Sequence, residues 1–165
     1  GLDSLEPFFC KSQDTGSGIF ILVHTSNKGS QDIQEILINR DLKCYEHLAY
    51  LLKPIIEKNN GQLGLSSIGI VSGATYEQQA ISLRKILPSA PFLIPGFGAQ
   101  GASASEACSP LITDQSDCSL KNFGLINASR SVLFPKNSYS VKSIGEWQDI
   151  ILTELKKTNN LLINT

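Results

Sequence analysis

The chain has 165 residues, of which 41% are hydrophobic and 18% charged, and its formal net charge is −1. This length can bury the core of one globular domain, so residues 1–165 are taken as one unit. Acidic and basic residues are scattered, and no basic stripe could neutralise several phosphates of a nucleic acid. The longest apolar run, Ile19 to Val23, is too short to cross a bilayer. The composition therefore argues against nucleic-acid and membrane partners.

The four cysteines, at positions 10, 44, 108 and 118, include no CxxC pair. Their spacing does not match a zinc site, and a chain of this length needs no disulfide framework. We therefore predict reduced thiols, no metal and a cytoplasmic location. Asp114 and Asp117 lie in a polar stretch and are interpreted as solvated side chains rather than as a metal-binding pair.

Four short runs of apolar residues, rich in β-branched and aromatic side chains, predict β-strands. They cover residues 18–24, 67–73, 91–94 and 123–128. Each run is continuous rather than alternating, which is typical of parallel strands buried on both faces.

Amphipathic segments between the strands predict helices. Residues 3–9 begin the first, and residues 41–59 form the second, which Pro54 is expected to kink or split. Thr75 with Gln78 matches a capping box that opens a third helix ending at Ile86. Ser143 with Glu146 repeats this pattern for the final helix. The predicted buried face of that last helix comprises Trp147, Ile150, Ile151, Leu155 and Leu162.

A repeated alternation of strand and helix predicts an α/β fold with a parallel sheet. Four such units fit either a small doubly wound sheet or half of an eight-stranded barrel. The chain opens directly with a helix start, as though a strand had just ended before Gly1, and this favours the half barrel.

The strongest local pattern is the glycine-rich segment Pro95-Gly96-Phe97-Gly98-Ala99-Gln100-Gly101-Ala102, directly after the third predicted strand. Glycines let backbone N–H groups approach a ligand closely, and residues 103–107 are predicted to form a short helix after them. An ordinary structural turn explains this segment equally well when it is considered alone.

The fourth strand is followed by Asn127-Ala128-Ser129-Arg130-Ser131, which places an arginine beside the glycine-rich segment. A guanidinium can hold a phosphate through paired hydrogen bonds while loop amides bind its other oxygens. Loops after the last two strands form the usual phosphate site of a (β/α)₈ barrel. On that basis the four strands are strands five to eight, and four strands are missing.

Five motifs in this order resemble the second half of orotidine 5′-monophosphate decarboxylase, in the divergent branch that includes the malarial enzymes. The motifs are Gly1-Leu2-Asp3-Ser4-Leu5-Glu6-Pro7-Phe8, Leu22-Val23-His24-Thr25-Ser26-Asn27, Val71-Ser72-Gly73-Ala74-Thr75, Leu93-Ile94 with the glycine-rich segment, and Asn127-Ala128-Ser129-Arg130-Ser131. The resemblance covers nearly the whole chain and implies the C-terminal half of a (β/α)₈ barrel.

The resemblance also implies which residues bind substrate. Arg130 would bind the phosphate with backbone amides near Gly98 and Ser129, Gln100 would bridge phosphate and pyrimidine, Ser26 would hydrogen-bond the pyrimidine edge, and Pro95 would pack near the base. Two other residues could be mistaken for catalytic groups. His24 is interpreted as a packed, hydrogen-bonded strand histidine and Lys28 as a solvated loop lysine.

The chemistry implied by the resemblance is conversion of orotidine monophosphate to UMP and CO₂, without metal or cofactor. The family stabilises the C6 carbanion with alternating lysines and aspartates on strands two and three, and the partner subunit of a homodimer supplies one aspartate. No strand here ends in Asp-x-Lys followed by another aspartate. We therefore expect no catalytic residue in this chain, inactivity alone, and a requirement for an N-terminal half.

Two other functions remain open on the sequence. The same pair of loops occurs in other phosphate-binding barrels, such as aldolases and isomerases. A non-catalytic phosphate-binding half-domain also fits the pattern. The segment preceding Gly1 would discriminate, because an Asp-x-Lys strand end followed by an aspartate selects the decarboxylase.

Overall fold

A computed structural model of the chain describes residues 1–113 and 121–165. The elements are α1 (Leu2–Thr15), β1 (Ile19–His24), β2 (Leu37–Asn39), β3 (Leu42–Lys43), α2 (Cys44–Lys58), β4 (Ile68–Ser72), α3 (Glu77–Ile86), β5 (Phe92–Ile94), α4 (Ala104–Cys108), β6 (Ile112–Thr113), β7 (Lys121–Asn122), β8 (Gly124–Ile126), α5 (Arg130–Leu133) and α6 (Ile144–Ile163). Two 3₁₀ helices span Lys28–Asp32 and Lys136–Ser140.

The four predicted strands form one parallel sheet in the order β1-β4-β5-β8. From one border of the sheet to the other, these four strands therefore follow their order in the chain, and the strand order does not reverse. A doubly wound sheet would show such a reversal. The α/β class and the parallel sheet are confirmed. The antiparallel pairs β2–β3 and β6–β7 were not predicted.

The two faces of the sheet differ in how they are covered. The helix-facing side packs against the helices, and the buried core formed there includes Val23, Leu52, Ile56, Ile68, Ile70, Leu83, Phe92 and Ile94. On the opposite face Phe20, Leu22 and Leu125 are 40%, 53% and 59% exposed. The strand register places these side chains on the face shared by Val71 and Leu93.

The expectation that every strand is buried on both faces is therefore wrong for β1 and β8. Successive side chains of a strand point to opposite faces, so a continuous apolar run needs a packing partner on each side. The helices provide that partner on one side. Among the described residues, the outer strands lack it on the other.

The first two helices show one prediction confirmed, one helix start corrected, and one of two alternatives for Pro54 excluded. Residues 3–9 do begin a helix, α1. Helix α2 begins at Cys44 rather than at Asp41, because Leu42–Lys43 pairs with Leu37–Asn39 as a hairpin. Pro54 does not split α2. Both Pro54 and Tyr50, four residues earlier, lie on the exposed face, where water can replace the missing hydrogen bond.

The two predicted capping boxes have different outcomes. Helix α3 follows Tyr76, with no side-chain cap, and Thr75 bonds elsewhere. At α6 the Ser143 hydroxyl accepts from the N–H of Glu146 as predicted, whereas the Glu146 carboxylate accepts from the N–H of Lys142. The predicted inward face of α6 is confirmed for Trp147, Ile150, Ile151 and Leu162, which are half-buried, but not for Leu155. No residue of α6 is fully buried, and Leu155 is 47% exposed.

The remaining predictions concern thiols, acids and membranes. Cys10 and Cys44 form no disulfide. Cys118, Asp114 and Asp117 lie outside the described residues. Within the part of the chain that is described, no helix combines the length and hydrophobicity that crossing a bilayer requires.

Candidate functional site

A small cavity lies where β5 and β8 end at the same edge of the sheet. Its volume is about 130 Å³, and it is lined by Pro95, Gly96, Phe97, Ala99, Gln100, Asn127, Ser129 and Arg130. Sites for drug-sized ligands begin at about 300 Å³. The cavity therefore has room for a group the size of a phosphate, and any larger ligand must extend beyond it.

The glycine-rich segment lines one side of this cavity in a conformation that depends on its glycines. Gly96, Gly98 and Gly101 have φ angles of 104°, 73° and 98°, which side-chain-bearing residues rarely adopt. The N–H of Gly98 donates to the Ala102 carbonyl at 3.2 Å, and the N–H of Gly101 donates to the Gly98 carbonyl at 2.9 Å. These bonds close the segment into a tight turn.

The conformation of this turn determines which backbone N–H groups are available to bind an anion. The amide of Gly98, predicted to assist phosphate binding, is already bonded to Ala102. Gly98 instead packs against Ser131: a Cβ at position 98 would lie 2.9 Å from the Ser131 hydroxyl oxygen. Ala99 and Gln100 line the cavity, and no hydrogen bond between described residues uses their N–H groups. They are the better candidates for amide donors.

Arg130 supplies positive charge at the same cavity. It is exposed at the first turn of α5, and its guanidinium makes no ion pair or hydrogen bond with any residue of 1–113 or 121–165. Ser129, which precedes it, donates its hydroxyl to the Asn127 side chain at 3.0 Å. The structure thus brings the arginine and the glycine-rich segment to one cavity, as the order of the strands led us to expect.

Ser26 reaches this region from the end of β1, which is separated from β5 by β4. A Cβ on Gly96 would lie 2.9 Å from Ser26 Cβ, 3.4 Å from Ser26 Oγ and 3.0 Å from Gln100 Oε1. Gly96 is therefore the point where the side chains of Ser26 and Gln100 meet. Of the six predicted site residues, Pro95, Gln100, Ser129 and Arg130 line the cavity, whereas Ser26 and Gly98 lie beside it.

Sequence reasoning missed Glu35, which organises the loop between β1 and α2. Its carboxylate accepts hydrogen bonds from His24 at 3.1 Å, Gln79 at 2.8 Å and Lys43. Burial acts to raise the pKa of Glu35, but the hydrogen bonds from Lys43, Gln79 and His24 outweigh burial and lower the pKa. Its partners come from three separate parts of the chain, so no local motif could have revealed the cluster.

His24 and Lys28 occupy the environments predicted for them. His24 is fully buried and hydrogen-bonded to Glu35, and Tyr45 and Tyr76 contact its ring edge-on. Burial lowers the pKa of His24, although Glu35 acts in the opposite direction. Lys28 is exposed. Across residues 1–113 and 121–165, no three histidine, cysteine, aspartate or glutamate side chains gather into a group that could hold a metal ion.

The fold and this cavity define an α/β protein with an anion-sized site at the carboxyl edge of its parallel sheet. Comparison with known proteins gives the class a name. The chain is 41% identical over 133 residues to orotidine 5′-phosphate decarboxylase of Clostridium tetani, covering 81% of this chain and 44% of that protein. With the Clostridium botulinum (Loch Maree) protein of the same name it shares 36% over 164 residues, covering 98% and 55% respectively.

A solved structure, the OMP decarboxylase of Leishmania donovani, is similar with a TM-score of 0.59 and 28% identity, covering 92% of this chain and 54% of that one. No family model matches the chain. The chain is a relative of the orotidine 5′-phosphate decarboxylases, and it spans about half the length of the curated relatives it matches.

Proposed function

We propose that this chain is the phosphate- and pyrimidine-binding half of an orotidine 5′-phosphate decarboxylase, which converts orotidine monophosphate to UMP and CO₂. One observation carries the proposal: the glycine-rich segment and Arg130 line the same cavity at the ends of two adjacent parallel strands. The names of the relatives support the choice of a decarboxylase over an aldolase or isomerase.

The charges and donors at the cavity suit the phosphate of the substrate. The Arg130 guanidinium has no protein partner among the described residues, so its donors are available to a dianion. Amides of Ala99 and Gln100 would bind other phosphate oxygens. Hydrogen bonds between charged groups are about twice as strong as neutral ones. In this proposal the cavity holds the phosphate and the rest of the nucleotide lies outside it.

The neighbouring side chains fit the remainder of such a nucleotide. From the cavity a ligand would pass Gly96 and reach Ser26, which we propose hydrogen-bonds the pyrimidine edge. Gln100 lines the cavity and also lies beside Ser26 at Gly96, so it can bridge the phosphate and the ring. Pro95 would pack near the base. Binding energy from the distant phosphate can then lower the barrier at the reacting carbon.

We further propose that β1, β4, β5 and β8 are strands five to eight of a (β/α)₈ barrel. Three observations support this: the strand order has no reversal, one sheet face is uncovered, and the chain spans about half of its relatives. The remaining half would cover Phe20, Leu22 and Leu125 and supply the lysines and aspartates of catalysis. The complete enzyme would be a homodimer and would use no cofactor.

The proposal is tested on the protein as its gene encodes it. Mass spectrometry of that protein should give about twice the 17.9 kDa of this chain, since the relatives are about twice as long. Incubation with orotidine monophosphate should release CO₂ and form UMP. The 165-residue chain expressed alone is the matched control and should form no UMP. Phosphate binding by the encoded protein without UMP formation would favour the non-decarboxylase alternatives.

A further inference from the structure

Thr75 makes a long-range contact that helix capping does not explain. Its hydroxyl donates a hydrogen bond of 2.8 Å to the backbone carbonyl of Ser26, although 49 positions separate the two residues. Both residues are half-buried at the carboxyl edge of the sheet. The contact therefore joins the end of β4 to the end of β1 beside the candidate site.

Two glycines leave the space that Ser26 occupies. A Cβ at Gly73 would lie 2.6 Å from both the Cα and the backbone N of Ser26, and one at Gly96 would lie 2.9 Å from Ser26 Cβ. At distances under 3.0 Å one of the two groups must shift, and the nearest atoms at Gly73 are backbone atoms. Any side chain at position 73 would therefore push the Ser26 backbone out of its place.

The two residues that precede Ser26 are also held by hydrogen bonds. The N–H and hydroxyl of Thr25 donate to Gln34 Oε1 at 2.9 Å and 3.2 Å, and the N–H of Gly73 donates to the His24 carbonyl at 2.9 Å. The Ser26 hydroxyl, by contrast, forms no hydrogen bond with any residue in the described ranges. Its backbone is fixed while its side chain keeps its donor and acceptor available.

We propose that Thr75 is a positioning residue that aims the Ser26 hydroxyl at the ligand by holding the Ser26 carbonyl, with Gly73 leaving the required room. The inference rests on the proposed function, because it assumes that Ser26 meets a pyrimidine. Without the Thr75 bond, the Ser26 carbonyl loses the partner that fixes its orientation, and a small rotation of this peptide unit would carry the side chain out of alignment. Displacement of a binding group by about 1 Å can cost a large factor in rate.

The test compares UMP with ribose 5-phosphate, which has the phosphate and sugar but no ring. Titration calorimetry on the encoded protein should show that Thr75→Val weakens the binding of UMP about three- to tenfold, the range expected for one lost hydrogen bond. Binding of ribose 5-phosphate should be unchanged. Thr75→Ser, which keeps the hydroxyl, should restore UMP binding. Thr75→Ala replaces the valine variant if that variant does not fold.

Two controls separate positioning from a general structural role. Tyr76→Phe removes a comparable hydroxyl contact one residue along, to the Asn27 carbonyl at 3.3 Å, and should leave both ligands unaffected. In a Ser26→Ala background, Thr75→Val should cause no further loss of UMP affinity. Equal weakening of both ligands, no rescue by serine, or additive losses would each overturn the inference. If the unsubstituted protein binds ribose 5-phosphate but not UMP, the proposed function fails, and the inference with it.

Discussion

Two arginines at opposite ends of the sheet are used in opposite ways. Arg84 lies where the strands begin, half-buried, and its guanidinium stacks on the Phe92 ring 3.9 Å from the centroid. Its nitrogens donate to the carbonyls of Leu87, Pro88, Ala90, Pro110 and Phe123 at 2.7–3.3 Å. Arg130 lies where the strands end, exposed and without a partner among the described residues.

The contrast shows how one residue type serves either the fold or a ligand, depending on where its donors go. The donors of Arg84 bind carbonyls just before β5 and β8, so they join the segments that start these strands. The donors of Arg130 remain open to solvent at a cavity. Stability should therefore depend on Arg84, and ligand binding on Arg130.

Replacement of Arg84 should cost the most stability. In Arg84→Met the guanidinium stack is replaced by an apolar contact with Phe92 and the carbonyls lose their donors, so we expect a loss of about 3–5 kcal/mol in the free energy of unfolding. Urea unfolding of the encoded protein measures this loss. Arg40→Met, at an exposed arginine, is the matched control and should change stability by less than about 0.5 kcal/mol. A similar result for both variants would contradict the role of Arg84.

Replacement of Arg130 should affect binding rather than stability. Arg130→Ala should raise KM for orotidine monophosphate about 100-fold, because two charge-assisted hydrogen bonds are lost. The unfolding midpoint should stay unchanged. Arg130→Lys should recover part of the loss, since lysine keeps the charge but not the paired geometry. The interpretation fails if affinity for uridine, which lacks the phosphate, falls by the same factor.

Gln100 should show a milder version of the Arg130 effect. Its amide is neutral, so Gln100→Ala should raise KM by about three- to tenfold, the range for one ordinary hydrogen bond. The readout is KM for orotidine monophosphate in steady-state kinetics, and because Gln100 is proposed to bridge the phosphate and the ring, affinity for uridine should also fall, unlike in Arg130→Ala. A loss as large as that of Arg130→Ala would indicate that the turn itself had been disrupted.

The smallest effect concerns pH, and it shows that the carboxyl edge also contains purely structural groups. Burial lowers the pKa of His24 below its ordinary 6.5, so the unfolded chain gains a proton before the native state does. Stability should therefore fall as pH drops below about 6.5. The lowered pKa of Glu35 adds a second loss below 4.5. Unfolding measured between pH 7 and 5 should be less pH-dependent in His24→Gln than in the unsubstituted protein.

The strands and the shared cavity were predictable because their causes are local. Continuous apolar runs identify parallel strands, and parallel strands end at one edge, so a glycine-rich segment and Arg130 after neighbouring strands must meet there. Glycine frequency in residues 96–101 likewise marks backbone conformations that other residues avoid. None of these inferences needed knowledge of contacts between distant residues.

The errors occurred where tertiary contacts choose between local patterns. Thr75 and Gln78 fit a capping box, but the Ser26 carbonyl, 49 positions away, receives the Thr75 hydroxyl instead. Leu42 fits the apolar periodicity of α2, yet it pairs with Asn39 in a hairpin. Glu35 belongs to no motif and gains its importance only from the partners that folding brings to it.

Among the described residues, the unreversed strand order leaves β1 and β8 as the two borders of the sheet, each with a row of backbone N–H and C=O groups that no neighbouring strand pairs. Copies of the isolated chain can therefore extend one another's sheets, and solubility on its own should be poor. A complementary polypeptide that pairs with only one border leaves the other border able to pair with a further copy. Protection from self-association therefore requires a segment that pairs with both borders at once.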